Sequence, residues 1–156
     1  MPLLPDTGYT PSAAELASVD AWFATYDAHS AKREIERMAD LAVFPLNLVS
    51  DDSAGDGASA QWDREQFIGT MTHVMGDSGD GEITFESVRT PVFLTAAMVV
   101  VFTDSVMTTA NGETQQLRYA DVLIKRGGEW AFQTMIQGGW GDNLRQRGAP
   151  PVSSVA

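Results

Sequence analysis

An α+β fold, helices first and a strand meander after them, follows from three features of this 156-residue sequence. Apolar residues recur at helical spacing in the first part of the chain. From residue 83 onward they alternate as in strands. Two dipeptides, Asn111-Gly112 and Gly127-Gly128, then mark tight hairpins, because glycine readily takes the positive φ angles that two-residue turns demand.

The first helix opens near Thr10-Pro11, with Ser12 and Glu15 offering a competing capping-box register. Leu16, Val19, Trp22, Phe23 and Tyr26 then define one apolar face. Ser30 can cap a second helix, with Ile35, Met38 and Ala39 facing inward. Val43–Val49 reads as a strand, and Pro45, which cannot donate to a ladder, puts it at an edge or at a strand start. Residues 50–60 are small and polar and read as a mobile loop. A third helix is capped by Asp63 with Gln66 completing the box, and Trp62 and Phe67 are spaced as a hydrophobic staple. Gly76–Gly81 reads as a second loop.

Ile83–Arg89 alternates, and Val92–Phe102 is a long apolar run. Leu117–Phe132 forms the final hairpin around Gly127-Gly128, with a single carboxylate, Asp121, in its apolar first strand. The domain is expected to span residues 1–142, with a loose tail over 143–156. Because Ala96–Phe102 is apolar on both alternating faces, both faces of the sheet should be covered. The helices cover one, so the other is expected to meet a second copy in a homodimer; a sheet with a few exposed valines is the alternative.

Composition removes several functions. Lys and Arg total 10 against 21 Asp and Glu, a formal charge of −11, which repels nucleic acid and anionic membranes. With no cysteine there is no disulfide, thiolate nucleophile or Cys-bound zinc. His29 and His73 are far apart, and neither a metal nor a cofactor is expected. No glycine-rich loop ends in Gly-Lys-Ser/Thr, so none is a phosphate loop. Asp51 and Asp52 read as a solvated pair or a weak cation site. The start of the chain lacks the basic residues and apolar length of a signal peptide, and no apolar run can span a bilayer, so a cytoplasmic protein is expected.

Trp22–Tyr26 on the first helix, Met38–Pro45 leading into the first strand, Trp62–Phe67 before the meander, and Arg118–Ile124 followed by Gly127–Trp130 stand in an order that resembles the nuclear-transport-factor-2-like superfamily, near its SnoaL-like and ketosteroid-isomerase-like branches. The resemblance covers residues 12–140. It implies a cystatin-like fold, in which a curved antiparallel (mixed) sheet wraps as a cone around three helices. It also implies a pocket between them and dimers through the outer sheet face. Ketosteroid isomerase pairs a carboxylate base with a tyrosine and a protonated aspartic acid. Gapless alignment places Trp22 where that tyrosine stands and Leu46 where the base stands. Indole is a poor acid and leucine takes no proton, so steroid isomerisation is not implied. Asp121 matches the protonated acid to within about one residue, a difference a changed hairpin loop can absorb.

The candidate site residues follow. Asp121 shares a strand face with Tyr119 and Leu123, either in a pocket, where burial would raise its pKa, or at the surface beside a cation. Trp22 and Tyr26 can line a cavity with a polar tip or pack as core. Asn47 can orient a ligand carbonyl or face water. Gln133 and Met135 share a face with Gln137, as ligand contacts or as a solvated face. His73 can titrate near neutrality or simply sit in solvent. Two function classes remain, a binder of a small apolar molecule and a cofactor-free isomerase, cyclase or dehydratase acting on an apolar carbonyl compound. A dimeric interaction scaffold is a third.

Overall fold

A computed structural model describes residues 6–76, 84–142 and 153–155. Helices α1 (Ala13–Ala31), α2 (Ile35–Ala39) and α3 (Arg64–Gly76) pack against a curved sheet. Its strands are β1 (Ala42–Asp51), β2 (Gly57–Trp62), β3 (Thr84–Thr95), β4 (Met98–Thr108), β5 (Thr114–Arg126), β6 (Glu129–Gln137) and β7 (Ser153–Val155). They lie in the order β3-β4-β5-β6-β1-β2-β7. The β1–β6 pair is parallel and every other pair antiparallel. The architecture is thus a mixed-sheet α+β cone around N-terminal helices.

Local chemistry sets the helix starts. Ser12, not Thr10, caps α1: its Oγ accepts from the Glu15 N–H at 3.1 Å, and Glu15 accepts from the Ser12 N–H at 2.9 Å. The same reciprocal pair opens α3, where Gln66 N–H donates to Asp63 at 2.8 Å and Asp63 N–H to Gln66 at 2.9 Å. Ser30 does not begin α2. It belongs to the last turn of α1, and the chain breaks at Arg33, whose φ is 56°.

Three other expectations change. The loop at 50–60 is half strand, because Ala58, Ala60 and Trp62 alternate inward and pair with β1. β1 begins before Pro45, at Ala42. The apolar run 92–102 is two strands folded at Ala96-Ala97, so its bulk comes from two neighbouring strands rather than one. Of the loop expected at 76–81, only Gly76 lies within the described residues. The expected loose tail also lies outside them, except for Ser153–Val155, which pairs with β2. Gly127 and Gly128, at φ 58° and 84°, close the β5–β6 hairpin as their sequence requires.

Register divides the sheet into two faces. Phe93, Val99, Val101, Leu123, Trp130 and Phe132 face the helices and join Val19, Phe23, Met38, Leu46, Trp62 and Phe67 in one core. The Trp130 indole donates to Ser18 Oγ at 3.0 Å, tying β6 to α1. The outer face carries Val88, Met98, Phe102, Val106 and Ile136, all exposed. Among the described residues no helix is long and apolar enough to cross a membrane.

Candidate functional site

Polar chemistry on the concave face is concentrated in two adjacent rows. Arg89, Thr103 and Tyr119 are directly opposed across β3, β4 and β5, and Val101, Asp121 and Met135 across β4, β5 and β6. Directly opposed side chains lie about 5 Å apart, so these rows form one patch. Helix α1 lies over it, supplying Trp22, Phe23, Tyr26 and Asp27.

Asp121 is 5 % exposed. Burial pushes its pKa up to about 7, and the nearby Arg89 charge offsets only part of that rise. Among the described residues no hydrogen bond contributes to the shift. The carboxyl is therefore largely protonated just below neutrality, where it can donate a hydrogen bond, and becomes a base just above.

Arg89 is held by Asp27, with its two terminal nitrogens 2.6 and 3.0 Å from the carboxylate oxygens. Its guanidinium carbon lies 4.1 Å from the centre of the Phe23 ring. Burial acts to lower its pKa, but hydrogen bonding to Asp27 and that residue's charge reverse the sign. Burial raises Tyr26 well above the usual tyrosine range, with the Asp121 charge adding to it. Tyr119 is raised by burial against the opposing pull of Arg89. Both phenols thus stay protonated donors at neutral pH.

Aromatic rings form the apolar wall. Trp22 stacks on Tyr26 with centroids 6.0 Å apart and planes 6° apart, and both meet Phe132 edge-on at 4.6 and 4.9 Å. Three polar atoms in this region are buried without a hydrogen-bond partner: Trp22 Nε1, Arg89 Nε and Thr103 Oγ1. A native fold leaves few such atoms, because each costs desolvation with nothing returned.

Asp121, Tyr119, Tyr26, Trp22 and Met135 converge on this patch. Three candidates do not. Asn47 alternates with inward Leu46 and Leu48 and so faces outward, where it accepts from Gln61 at 2.8 Å. Gln133 leaves the face of Met135 because a β-bulge interrupts β6 opposite Val122 and Leu123. Its side chain instead accepts from Thr134 Oγ1 at 2.6 Å. His73 is exposed on α3, whose inward face is carried by Phe67 and Thr70. Gln137 stays in register opposite Tyr119, half-buried.

Arg89, Asp27 and Thr103 belong to the site but were not singled out from sequence. The available signal for Arg89 was its parity with Phe93 in one alternating strand; its partner Asp27 is 62 positions away, beyond any local pattern. Among the described residues no group of three or more metal-binding side chains comes together.

A separate groove of about 390 Å³ opens on the convex side. Outward-facing Val88, Thr90, Phe102, Asp104 and Arg118 line it, completed by Thr103 and Tyr119 between them. It is distinct from the concave patch, on the opposite face of the same strands.

No family model and no curated protein matches this sequence. Solved structures do match its fold. An NTF2-like protein of unknown function from Pseudomonas putida superposes with a TM-score of 0.69 at 12 % identity, over 83 % of this chain and 89 % of that one. A putative scytalone dehydratase from Novosphingobium aromaticivorans gives 0.59 at 13 %, over 92 % and 85 %. A putative calcium/calmodulin dependent protein kinase II association domain from Xanthomonas campestris gives 0.57 at 21 %, over 83 % and 89 %. The chain has the nuclear-transport-factor-2-like, cystatin-like fold, which carries both enzymes and non-enzymes.

Proposed function

We propose that this protein binds a small, largely apolar molecule between α1 and the concave face of its sheet. The observation that carries this reading is Asp121: a carboxyl buried among aromatic and aliphatic side chains, with no hydrogen bond among the described residues. Convergent polar groups on an apolar wall are the usual composition of a ligand site. The partly buried Trp22, Tyr26, Tyr119 and Met135 border it.

Thermal unfolding with a bicyclic hydrocarbon, tetralin, and its ketone, α-tetralone, tests the reading. At least one should raise Tm by several degrees in a saturable way, as mass action requires for a ligand of the folded state. No rise with either overturns it.

A second reading, proton transfer to or from a carbon beside a carbonyl, is favoured by one observation: Asp121 titrates near neutrality, where a general acid or base works best. The likeness to a putative dehydratase is compatible with it. Deuterium incorporation beside the α-tetralone carbonyl should then exceed the buffer rate and disappear in Asp121→Asn. Exchange at the buffer rate in the native protein leaves binding alone.

The convex face pairs with a second copy of the chain. Val88 is 70 % exposed and Phe102 46 %, and large exposed apolar patches are uncommon on monomers. Light scattering should give twice the chain mass, falling to one chain in the double variant Val88→Asp, Phe102→Asp. A native monomer would refute the pairing.

A further inference from the structure

The three unpartnered polar atoms on the concave side bear on ligand chemistry, given the binding reading above. Arg89 spends both terminal nitrogens on Asp27, which leaves Nε as its remaining buried donor. Thr103, 3 % exposed, is directly opposed to Arg89 on one side and Tyr119 on the other. Its hydroxyl therefore lies between the guanidinium and the phenol, in the row next to Asp121. Trp22 Nε1 comes from the helix above.

Two of these atoms can only donate, and the threonine hydroxyl can donate as well. The patch is thus rich in donors and short of acceptors. A matching ligand must bring accepting oxygen. It should not bring a negative charge: the one buried cation is already paired with Asp27, and Asp121 is a second carboxyl beside it. An added carboxylate would place three acids around one guanidinium in a chain whose formal charge is already −11. The walls are aromatic, with Trp22, Tyr26 and Phe132 meeting face to face and edge to face. That favours a flat ring system for the rest of the molecule.

We infer that the ligand is a neutral, planar ring compound bearing a carbonyl or comparable accepting oxygen, and that Thr103 Oγ1 and Arg89 Nε receive that oxygen. Thr103 is then the residue that selects ketone over hydrocarbon, and the Asp27–Asp121 pair excludes acids.

Calorimetric titration at pH 6 with tetralin, α-tetralone and naphthoate separates these statements. α-Tetralone should bind about tenfold more tightly than tetralin, the size of one hydrogen bond that leaves no donor orphaned. Naphthoate should bind most weakly. In Thr103→Val, which keeps shape and removes the hydroxyl, the ketone should lose its advantage while tetralin binds as before. Thr103→Ser should keep the preference. The Tm of Thr103→Val without ligand should equal or exceed that of the native protein, since a buried unpaired hydroxyl is removed; a fall would mean the hydroxyl serves the fold and would overturn its assignment to a ligand. Equal binding of tetralin and α-tetralone by the native protein, or an unchanged preference in Thr103→Val, overturns the inference while leaving an apolar binding site standing. Tightest binding of naphthoate refutes the neutrality requirement. If no probe binds, the binding reading fails and takes this inference with it.

Discussion

The two faces of strands β3 to β5 carry the same residue types and treat them in opposite ways. Each has an arginine near a carboxylate. On the concave side Arg89 is 13 % exposed and meets Asp27 through two short hydrogen bonds. On the convex side Arg118 is 74 % exposed and lies 3.7 Å from Asp104, itself 52 % exposed. Each face also has a phenylalanine: Phe132 is 1 % exposed inside and Phe102 46 % exposed outside. Strand parity alone separates the members of each pair. A side chain one step along the strand changes from a group that orders the interior to one available to a partner.

The sharpest break between the faces should come from truncating the phenylalanines. Phe132→Ala removes a ring from the core and should cost about 4 kcal/mol. Phe102→Ala should change the stability of the isolated chain by less than about 0.5 kcal/mol. Urea unfolding at low protein concentration measures both, and similar losses would refute the division.

The second test uses proton linkage at Asp121. Its folded pKa is above that of the unfolded chain, so the folded state holds a proton that the unfolded state releases. The two states are equally protonated below the unfolded value near 4. Stability then falls as pH rises from there to about 7 and levels off above. The loss amounts to something on the order of 4 kcal/mol. Asp121→Asn should remove this part of the pH dependence, so that it is more stable relative to the native protein at pH 8 than at pH 4. Parallel profiles for both proteins would show that the carboxyl is not buried in solution.

The smallest contrast lies between the arginines. Arg89→Met strips a partly exposed Asp27 of its partner, and solvent screening limits the cost to about 2 kcal/mol. Arg118→Met should lie within about 0.5 kcal/mol of the native protein. Losing Arg89 also removes the cation that holds the Asp121 pKa down, so the alkaline loss of stability should shift to higher pH.

Much of the fold was legible because its signals are short. The Ser12–Glu15 and Asp63–Gln66 boxes and the Gly127-Gly128 turn each involve residues within a few positions of one another. Asp121 was legible as well, since a carboxylate in an apolar strand is conspicuous and its neighbours Tyr119 and Leu123 share its face by alternation. Gln133 misled because alternation assumes an uninterrupted ladder, and the bulge in β6 turned it toward Thr134. Asn47 was equally compatible with either face until Leu46 and Leu48 were seen to be buried.

By itself the sequence determined the order of elements, their caps and turns, and the presence of one unusual carboxyl, because these depend on backbone angles and contacts between near neighbours. Only the tertiary structure decided that Asp121 faces inward, that Arg89 and Asp27 meet beneath α1, and that Thr103 lies between Arg89 and Tyr119. Those facts depend on strand register and on packing between residues dozens of positions apart, where a shift of one residue reverses every face.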